Sequence, residues 1–342
     1  MLNKQRYDAI DLAKLIASIL IVALHSDLLY DVYPAAHSIL CSGLARLAVP
    51  FFFTTSAFFF FCKQITAVTT KRYCLRLLKL YLCWFIIYLP KTIFDRIVCS
   101  DYPLPETMLR FLRSFFVTST FSGSWFLVSC IFCGLLFFAL EKLPDRVRRT
   151  LTILLATLVY GLCVFASGYG MLVKRFGLSH PLKIYTILFA NPYNNLFVGI
   201  PYFALGRAFA NGKLPKKQLA IPGLIVSLLL LFAEVLIIKE LRLTKATDCY
   251  LMLLPCMFFM FPLLLDANLS LRYAPTYRSL STIIFFSHFG WLFFTELLEW
   301  LLKCTIPITV KFMIALGGSL LTALVILKLQ TKKRFHWLRY FY

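Results

Sequence analysis

Apolar residues along this chain come in long blocks separated by short polar segments. Stretches of roughly 18 to 22 mostly apolar residues recur, and a helix of this length crosses a hydrocarbon core about 30 Å thick. The blocks predict ten membrane-spanning helices, at about residues 10–30, 41–62, 80–98, 124–141, 150–167, 191–210, 220–238, 248–265, 280–298 and 308–327. We therefore predict an all-α, polytopic integral membrane helical bundle in which residues 1–342 form one transmembrane domain.

The polar segments between the blocks differ in charge. If the N-terminus is cytoplasmic, the segments on that side hold 23 of the 36 Lys and Arg residues. Because cytoplasmic loops carry an excess of cations, both termini are predicted to be cytoplasmic. The tail, residues 328–342, mixes cations with aromatic rings and is predicted to lie on an anionic inner leaflet. In the longest outer loop, residues 99–123, the sequence "ETMLRFLRSFF" predicts a short interfacial helix.

The composition fits a multi-pass protein of the cell membrane. Of the 342 residues, 60% are hydrophobic and only 15% are charged, which is less charge than soluble domains carry. Cation-rich loops account for the net charge of +21, so we predict no nucleic-acid partner. The 11 cysteines lie mostly in apolar blocks, where they act as small hydrophobic side chains, and no metal is predicted. The first block lacks a small-residue cleavage site, and we expect it to be retained.

A line of polar residues runs along the first predicted helix. At about 100° per residue, Lys14 and His25 lie within about 20° of each other, and Ser18 lies between them. Asp11 lies on the same side, about 21 Å from His25 along the helix axis. Ionisable side chains inside a membrane are costly and are commonly functional. The simpler alternative is that Lys14 snorkels to one interface while His25 rests at the other.

Three further residues are candidates for substrate contact. Arg46 lies near the outer end of the second block and needs an acidic partner or a ligand there. His288 lies near mid-membrane in the ninth block, where it either functions or bonds to a neighbouring helix. Trp125 lies at the start of the fourth block, where an aromatic side chain either contacts a substrate or belongs to the interfacial belt.

Three segments within the first 85 residues resemble the acyltransferase 3 family of membrane-bound enzymes, which O-acylate sugars of bacterial surface polysaccharides. The first reads "RYDAIDLAKLIASILIVALHS", with ten residues between a basic residue and a histidine, as in the opening helix of the family. The second, "RLAVPFFFTTSAFFF", is similar to a Val-Pro-Phe-Phe run of the family, and the third is the basic segment "KRYCLRLLKLYLCW". Lys14 stands where arginine is commoner, and Ala57 stands where glycine is usual.

The resemblance implies an acyl-CoA donor, most simply acetyl-CoA, and a glycan or lipid-linked sugar as acceptor. His25 is then the general base, and Lys14 and Asp11, at the cytosolic end of its helix, complete the predicted catalytic set. Arg46, Trp125 and His288 then contact the acceptor. The pantetheine arm of the donor passes Ser18, and its phosphates bind a basic cytosolic loop. The cations of that loop are Lys71, Arg72, Arg76 and Lys79.

Two other functions are compatible with the same sequence. A transporter or flippase of a polar solute or a lipid-linked sugar also needs a polar path through the membrane. A purely structural partner in a polysaccharide assembly complex would tolerate replacement of both Lys14 and His25 by alanine. Membrane lipids are expected contacts for each of these functions, and assembly into a homo-oligomer is compatible with all of them.

Overall fold

A computed structural model describes residues 6–342 of the protein. The fold is 75% helical, and no strand occurs among the described residues. The helices are α1 Asp8–His25, α2 Pro34–Leu40, α3 Ala48–Phe61, α4 Ala67–Ile93, α5 Leu104–Val117, α6 Trp125–Leu140, α7 Asp145–Ala166, α8 Gly170–Arg175, α9 Ser179–Phe189, α10 Ile200–Ala210, α11 Lys217–Glu240, α12 Leu253–Asp266, α13 Ala274–Leu302 and α14 Ile308–Leu329. The segments Leu44–Leu47 and Lys333–Phe341 are 3₁₀-helical, and Phe94–Val98 forms a π-helical turn.

The predicted all-α fold class is confirmed, and each predicted span overlaps one of these helices. Within residues 6–342, six segments are both long and apolar enough to cross a membrane: Pro34–Phe61, Ala67–Val98, Asp145–Ala166, Lys217–Glu240, Ala274–Leu302 and Ile308–Leu329. The helices α6 and α12 are apolar but shorter. The figure of ten crossings and the cytoplasmic location of both termini stay predictions.

The largest difference from the predicted boundaries concerns α4. The basic segment before residue 80 was predicted to be a loop, and it is helical from Ala67 onward. The reason is a capping box: the Thr66 hydroxyl accepts a hydrogen bond from the Thr69 N–H at 3.2 Å, and the Thr69 hydroxyl accepts one from the Thr66 N–H at 2.9 Å. Two backbone donors at the helix start are thereby satisfied. The short helix predicted in the longest outer loop is confirmed as α5.

The chain divides into two compact units. Unit 1 contains the chain up to Thr55 together with Leu214–Ile237 and Leu251–Tyr342. Unit 2 contains Ser56–Lys213 and Ile238–Tyr250.

Unit 1 is organised around α13, which packs against both α1 and α14. The centre of this packing is a cluster of three fully buried residues, one from each helix: Val22, Ile284 and Ala315. This arrangement brings the polar line of α1 against the middle of the membrane helix that carries His288.

Unit 2 pairs α4 with α6 and α7 with α10. Glu141, directly after α6, holds the ends of three of these helices together. Its carboxylate accepts hydrogen bonds from Arg207 of α10 at 2.5 Å and from Arg148 of α7 at 2.8 Å. Each carboxylate oxygen thus has a guanidinium partner, and the pairing fixes α6 relative to α7 and α10.

A close contact between α13 and α14 leads to a first prediction, at Gly318. A Cβ atom built there would clash with Cδ2 of Trp291, whose indole N–H donates to Thr322 at 3.1 Å. We expect Gly318→Ala to lower the free energy of unfolding by about 1–3 kcal/mol, because the ring has to move to admit the methyl group. The neighbouring Gly317 has no atom within 4 Å of such a Cβ.

The matched control is therefore Gly317→Ala, which we expect to be neutral or to stabilise the helix by up to about 1 kcal/mol. Thermal melting of the two purified variants in detergent makes the comparison. Equal melting temperatures for the two variants would contradict the close packing of α13 on α14.

Candidate functional site

The carboxylate of Asp11, in the first turn of α1, carries two cations. Arg278 of α13 donates to both of its oxygens, at 3.0 and 2.6 Å, and Lys14 donates to Oδ1 at 3.2 Å. Asp11 is only 3% exposed, whereas the Arg278 side chain is 61% exposed. The structure therefore pairs Lys14 with Asp11 in the same part of the helix, and it adds Arg278, which the sequence did not single out.

Asp8 forms a second link between the start of α1 and the segment before α13. Its Oδ2 accepts the backbone N–H of Leu271 at 2.8 Å, and Arg6 donates to both carboxylate oxygens at 3.1 Å. The Leu271 N–H and the Arg6 guanidinium hold the pKa of the Asp8 carboxyl below its ordinary value. Asp8 is thus charged at neutral pH, and it anchors the N-terminal end of α1.

At the opposite end of α1, His25 lies against a second histidine. The rings of His25 and His288 are stacked, with centroids 5.4 Å apart and planes inclined by 25°. Phe289 contacts both rings, at 4.6 and 4.0 Å. His25 keeps an exposed surface, while His288 is fully buried. The sequence left the neighbour of His25 unnamed, and the structure places it on α13.

In the buried ring of His288, one nitrogen forms a hydrogen bond and the other does not. Its Nδ1 lies 3.1 Å from the carbonyl oxygen of Ile284, and Nδ1 must donate because a carbonyl only accepts. In the neutral ring, Nε2 then carries the lone pair, and it has no hydrogen-bond partner among the described residues. A buried polar atom without a partner costs about 1–3 kcal/mol. Such an atom beside an accessible imidazole is typical of a functional site.

Arg46 belongs to the same neighbourhood. It lies on the 3₁₀ turn Leu44–Leu47, which packs against α1 and α12. Its guanidinium is half-buried and lies within electrostatic range of the His25 imidazole. Of the predicted site residues, the structure thus brings together His25, His288 and Arg46.

The predicted polar line along α1 is interrupted at Ser18. That residue is fully buried, and its hydroxyl donates to the carbonyl oxygen of Leu15 at 2.8 Å. It therefore presents no surface to a passing ligand in this structure. Polar groups are accessible at the two ends of α1, around Arg278 and at His25, and not along its middle.

The remaining predicted site residues lie in unit 2. All four cations proposed for the donor phosphates are exposed on the first half of α4. Arg72, Arg76 and Lys79 fall within about 60° on one helix face, and Lys71 lies about 100° from Arg72. Trp125 is the first residue of α6 and is half-buried.

A buried carboxylate that the sequence reasoning missed lies within α11. Glu234 is 9% exposed, and its two oxygens accept the backbone N–H groups of Leu251 and Met252 at 2.7 and 2.9 Å. These donors directly precede α12, so Glu234 caps that helix from a neighbouring one, where a negative charge is favourable. The signal in the sequence that could have identified Glu234 is its position as a single acidic residue inside a long apolar block.

Comparison with known proteins shows to which family the chain belongs. A family model described as an acyltransferase domain, of the acyltransferase 3 type, matches residues 7–328. The chain belongs to this acyltransferase family. No solved structure matches it.

Curated relatives of this acyltransferase-family chain include two racemases. An amino-acid racemase of Enterococcus faecalis is 25% identical over 272 residues, which are 78% of this chain and 37% of that protein. A serine/alanine racemase of Enterococcus gallinarum is 25% identical over 268 residues, 75% of this chain and 37% of that protein. The chain thus spans little more than a third of the length of these relatives.

Family membership and the apolar helices together identify a multi-pass membrane protein with an acyltransferase domain. The resemblance seen in the first 85 residues is confirmed over nearly the whole chain. The assignment of individual residues to donor, acceptor and base stays a prediction.

Proposed function

We propose that this protein transfers an acyl group, most simply acetyl, from acyl-CoA to a hydroxyl of a cell-surface or lipid-linked glycan. The observation that carries the proposal is the imidazole of His25, at the exposed end of α1, stacked on the buried imidazole of His288, of which one nitrogen has no partner among the described residues. Family membership supplies the reaction class. The cell membrane, with both termini cytoplasmic, is part of the proposal.

His25 is proposed as the general base. It accepts the proton of the acceptor hydroxyl while the oxygen attacks the thioester carbonyl, because histidine is the side chain whose ordinary pKa lies nearest neutrality. The carbon–sulfur bond of the thioester then breaks, and the proton held by His25 passes to the departing CoA sulfur. The products are a glycan ester and free CoA.

The neighbours of His25 support this role in two ways. The His25 imidazole stacks on the His288 ring and contacts the tilted Phe289 ring, so the base is held in place before substrate binds. Arg46 is proposed to hold the acceptor and to stabilise negative charge on the reacting oxygen. Trp125 is proposed as a further acceptor contact.

The donor is proposed to bind through cations, since CoA carries several phosphates. Arg278 is an exposed cation of unit 1 at the end of α1 that lies away from His25, and Lys14 lies beside it on Asp11. The α4 cations Arg72, Arg76 and Lys79 present a second basic face, in unit 2. Asp11 is proposed to orient Arg278 and Lys14, without contact to the reacting atoms.

Two linked experiments test the proposal. Mass analysis of surface glycan from a strain lacking this protein should show the loss of one ester. Purified full-length protein in liposomes, given radiolabelled acetyl-CoA and the deacylated glycan, should release CoA thiol in step with label appearing in the glycan. An unchanged glycan together with no CoA release would overturn the proposal.

A second candidate function takes its solute class from the names of the relatives. Both are called racemases of amino acids, and the alignment with each covers about three quarters of this chain. The alternative is a transporter or flippase that moves a polar solute, such as an amino acid, or a lipid-linked sugar. The same liposomes distinguish the two functions: the alternative requires solute flux without consumption of acetyl-CoA.

A further inference from the structure

A cavity of about 400 Å³ lies in unit 2, and none of the site residues discussed so far lines it. It is formed by α8, α9 and the segment that follows α11. Its polar lining is dominated by three lysines, Lys174, Lys183 and Lys245. The volume falls in the range of about 300–1,000 Å³ that is usual for small-molecule sites.

The lysine that closes this cavity is held in place by a dense set of backbone bonds. The Ser167 hydroxyl, fully buried, donates to the carbonyl of Ala246 at 2.8 Å and accepts the N–H groups of Asp248 and Cys249 at 2.9 and 3.0 Å. The Ser167 carbonyl accepts the N–H of Lys245 at 3.1 Å. Lys245 is therefore fixed against the end of α7.

Gly170, the first residue of α8, allows Lys245 to approach that helix closely. A Cβ atom at Gly170 would lie 2.5 Å from the Cβ of Lys245, so a larger residue would push the lysine away. Next to it, the N–H of Met171 donates to the carbonyl of Leu243 at 2.9 Å. The contacts with Ser167 on one side and with Gly170 on the other thus fix the position of the Lys245 backbone.

The three lysines of this cavity are not ion-paired within the described chain, although Glu240 and Asp248 flank Lys245 in the sequence. None of the three lysines forms an ion pair with a carboxylate in residues 6–342. From Arg146 to Ala233 the sequence contains no Asp or Glu at all. Three ammonium groups on one cavity repel one another, and an anion bound among them removes that repulsion.

The positive-inside tendency does not explain this cluster. The span prediction places the segments 168–190 and 239–247 on the outer side, opposite to the side where cations accumulate. The structure brings these two segments together around the cavity. On this predicted topology, a bound anion accounts for the presence of three exposed lysines there.

The lining also indicates the class of ligand. Met171, Val173 and Leu182 form an apolar wall beside the lysines, and the hydroxyl of Ser179 is available at the rim. Lysine binds phosphate well as a flexible point charge. We propose that this cavity binds an organic phosphate whose carbon body lies on the apolar wall, carried either by a lipid headgroup or by a soluble phosphorylated compound. This site is independent of the proposed acyl transfer.

The test uses the full-length protein and a triple variant, Lys174→Gln, Lys183→Gln and Lys245→Gln. One arm measures binding of glycerol 3-phosphate to protein in neutral detergent by calorimetry. The other measures phosphatidylglycerol retained by native mass spectrometry after purification from nanodiscs that also contain phosphatidylcholine. We expect the triple variant to bind about tenfold more weakly or worse in at least one arm, and the remaining binding to weaken with salt.

The matched control removes the same charge at the exposed Lys213, Lys216 and Lys217, and it should bind like the wild type. Binding in the first arm identifies a soluble ligand, and binding in the second alone identifies a lipid headgroup. Wild-type binding absent from both arms, or unchanged in the triple variant, overturns the proposal. If the triple variant melts at a lower temperature, the single variant Lys183→Gln at an exposed helical position replaces it.

Discussion

His25→Ala is expected to lower acyl transfer by about 10²–10⁴-fold, the usual contribution of a general base. His25 is the last residue of α1 and keeps an exposed surface, so truncation removes the imidazole without opening a cavity in the core. The stacked partner His288 retains its bond to Ile284 through its own helix. The measurement is the rate of CoA release coupled to ester formation, together with the amount of protein in the membrane.

The control for this experiment is His336→Ala, an exposed histidine in the tail, which should leave the rate unchanged. A second variant, His25→Gln, keeps a polar side chain of similar size and should lose activity to a similar extent, because an amide does not accept a proton near neutral pH. A wild-type rate in either His25 variant would falsify the assignment of the base while leaving the family assignment intact.

Glu234→Ala is expected to lower the free energy of unfolding by about 2–4 kcal/mol. The carboxylate accepts two backbone N–H groups before α12 and is 9% exposed. Its removal leaves both donors buried without an acceptor, and each such group costs about 1–3 kcal/mol. Because α12 packs against the turn that carries Arg46, we expect catalytic activity to decline together with stability.

The matched control is Glu240→Ala, at the exposed end of the same helix, which should change stability by less than about 0.5 kcal/mol. Thermal melting in detergent and resistance to protease in membranes provide two measurements. Glu234→Gln, with one acceptor oxygen in place of two, should fall between wild type and alanine. Melting of Glu234→Ala at the wild-type temperature would show that water replaces the carboxylate at no cost.

The helices of this protein could be predicted from sequence because a membrane demands long apolar runs, and those runs are visible without tertiary information. The start of α4 was misplaced for a local reason. Thr66 and Thr69 form a capping box that starts the helix at Ala67. The apolar pattern begins only later in the sequence, and the cations before it favour a loop when the pattern alone is used. Attention to the two threonines would have placed the boundary.

The candidate site was only partly predictable. Helical geometry alone predicts that Lys14 and His25 lie on the same side of α1. It does not predict which other helix packs against that side. The stacking of His25 on His288 and the pairing of Asp11 with Arg278 join positions more than 260 residues apart, and no local pattern encodes such pairs. Ser18 was included because of its angle on the helix, and its burial depends on the same unseen neighbour, α13.

The bond between Asp8 and the backbone of Leu271 spans 263 positions of the chain. At about 5–20 residues per second, the ribosome needs about 15–50 s to synthesise the intervening polypeptide. During that time the two carboxylates of the first helix have only their local cations, Arg6 beside Asp8 and Lys14 beside Asp11, because the Leu271 N–H and the Arg278 guanidinium do not yet exist. The packing of the opening segment is therefore provisional until α13 is made, and a product truncated before α13 offers a quality-control protease a helix end that lacks both of its long-range partners.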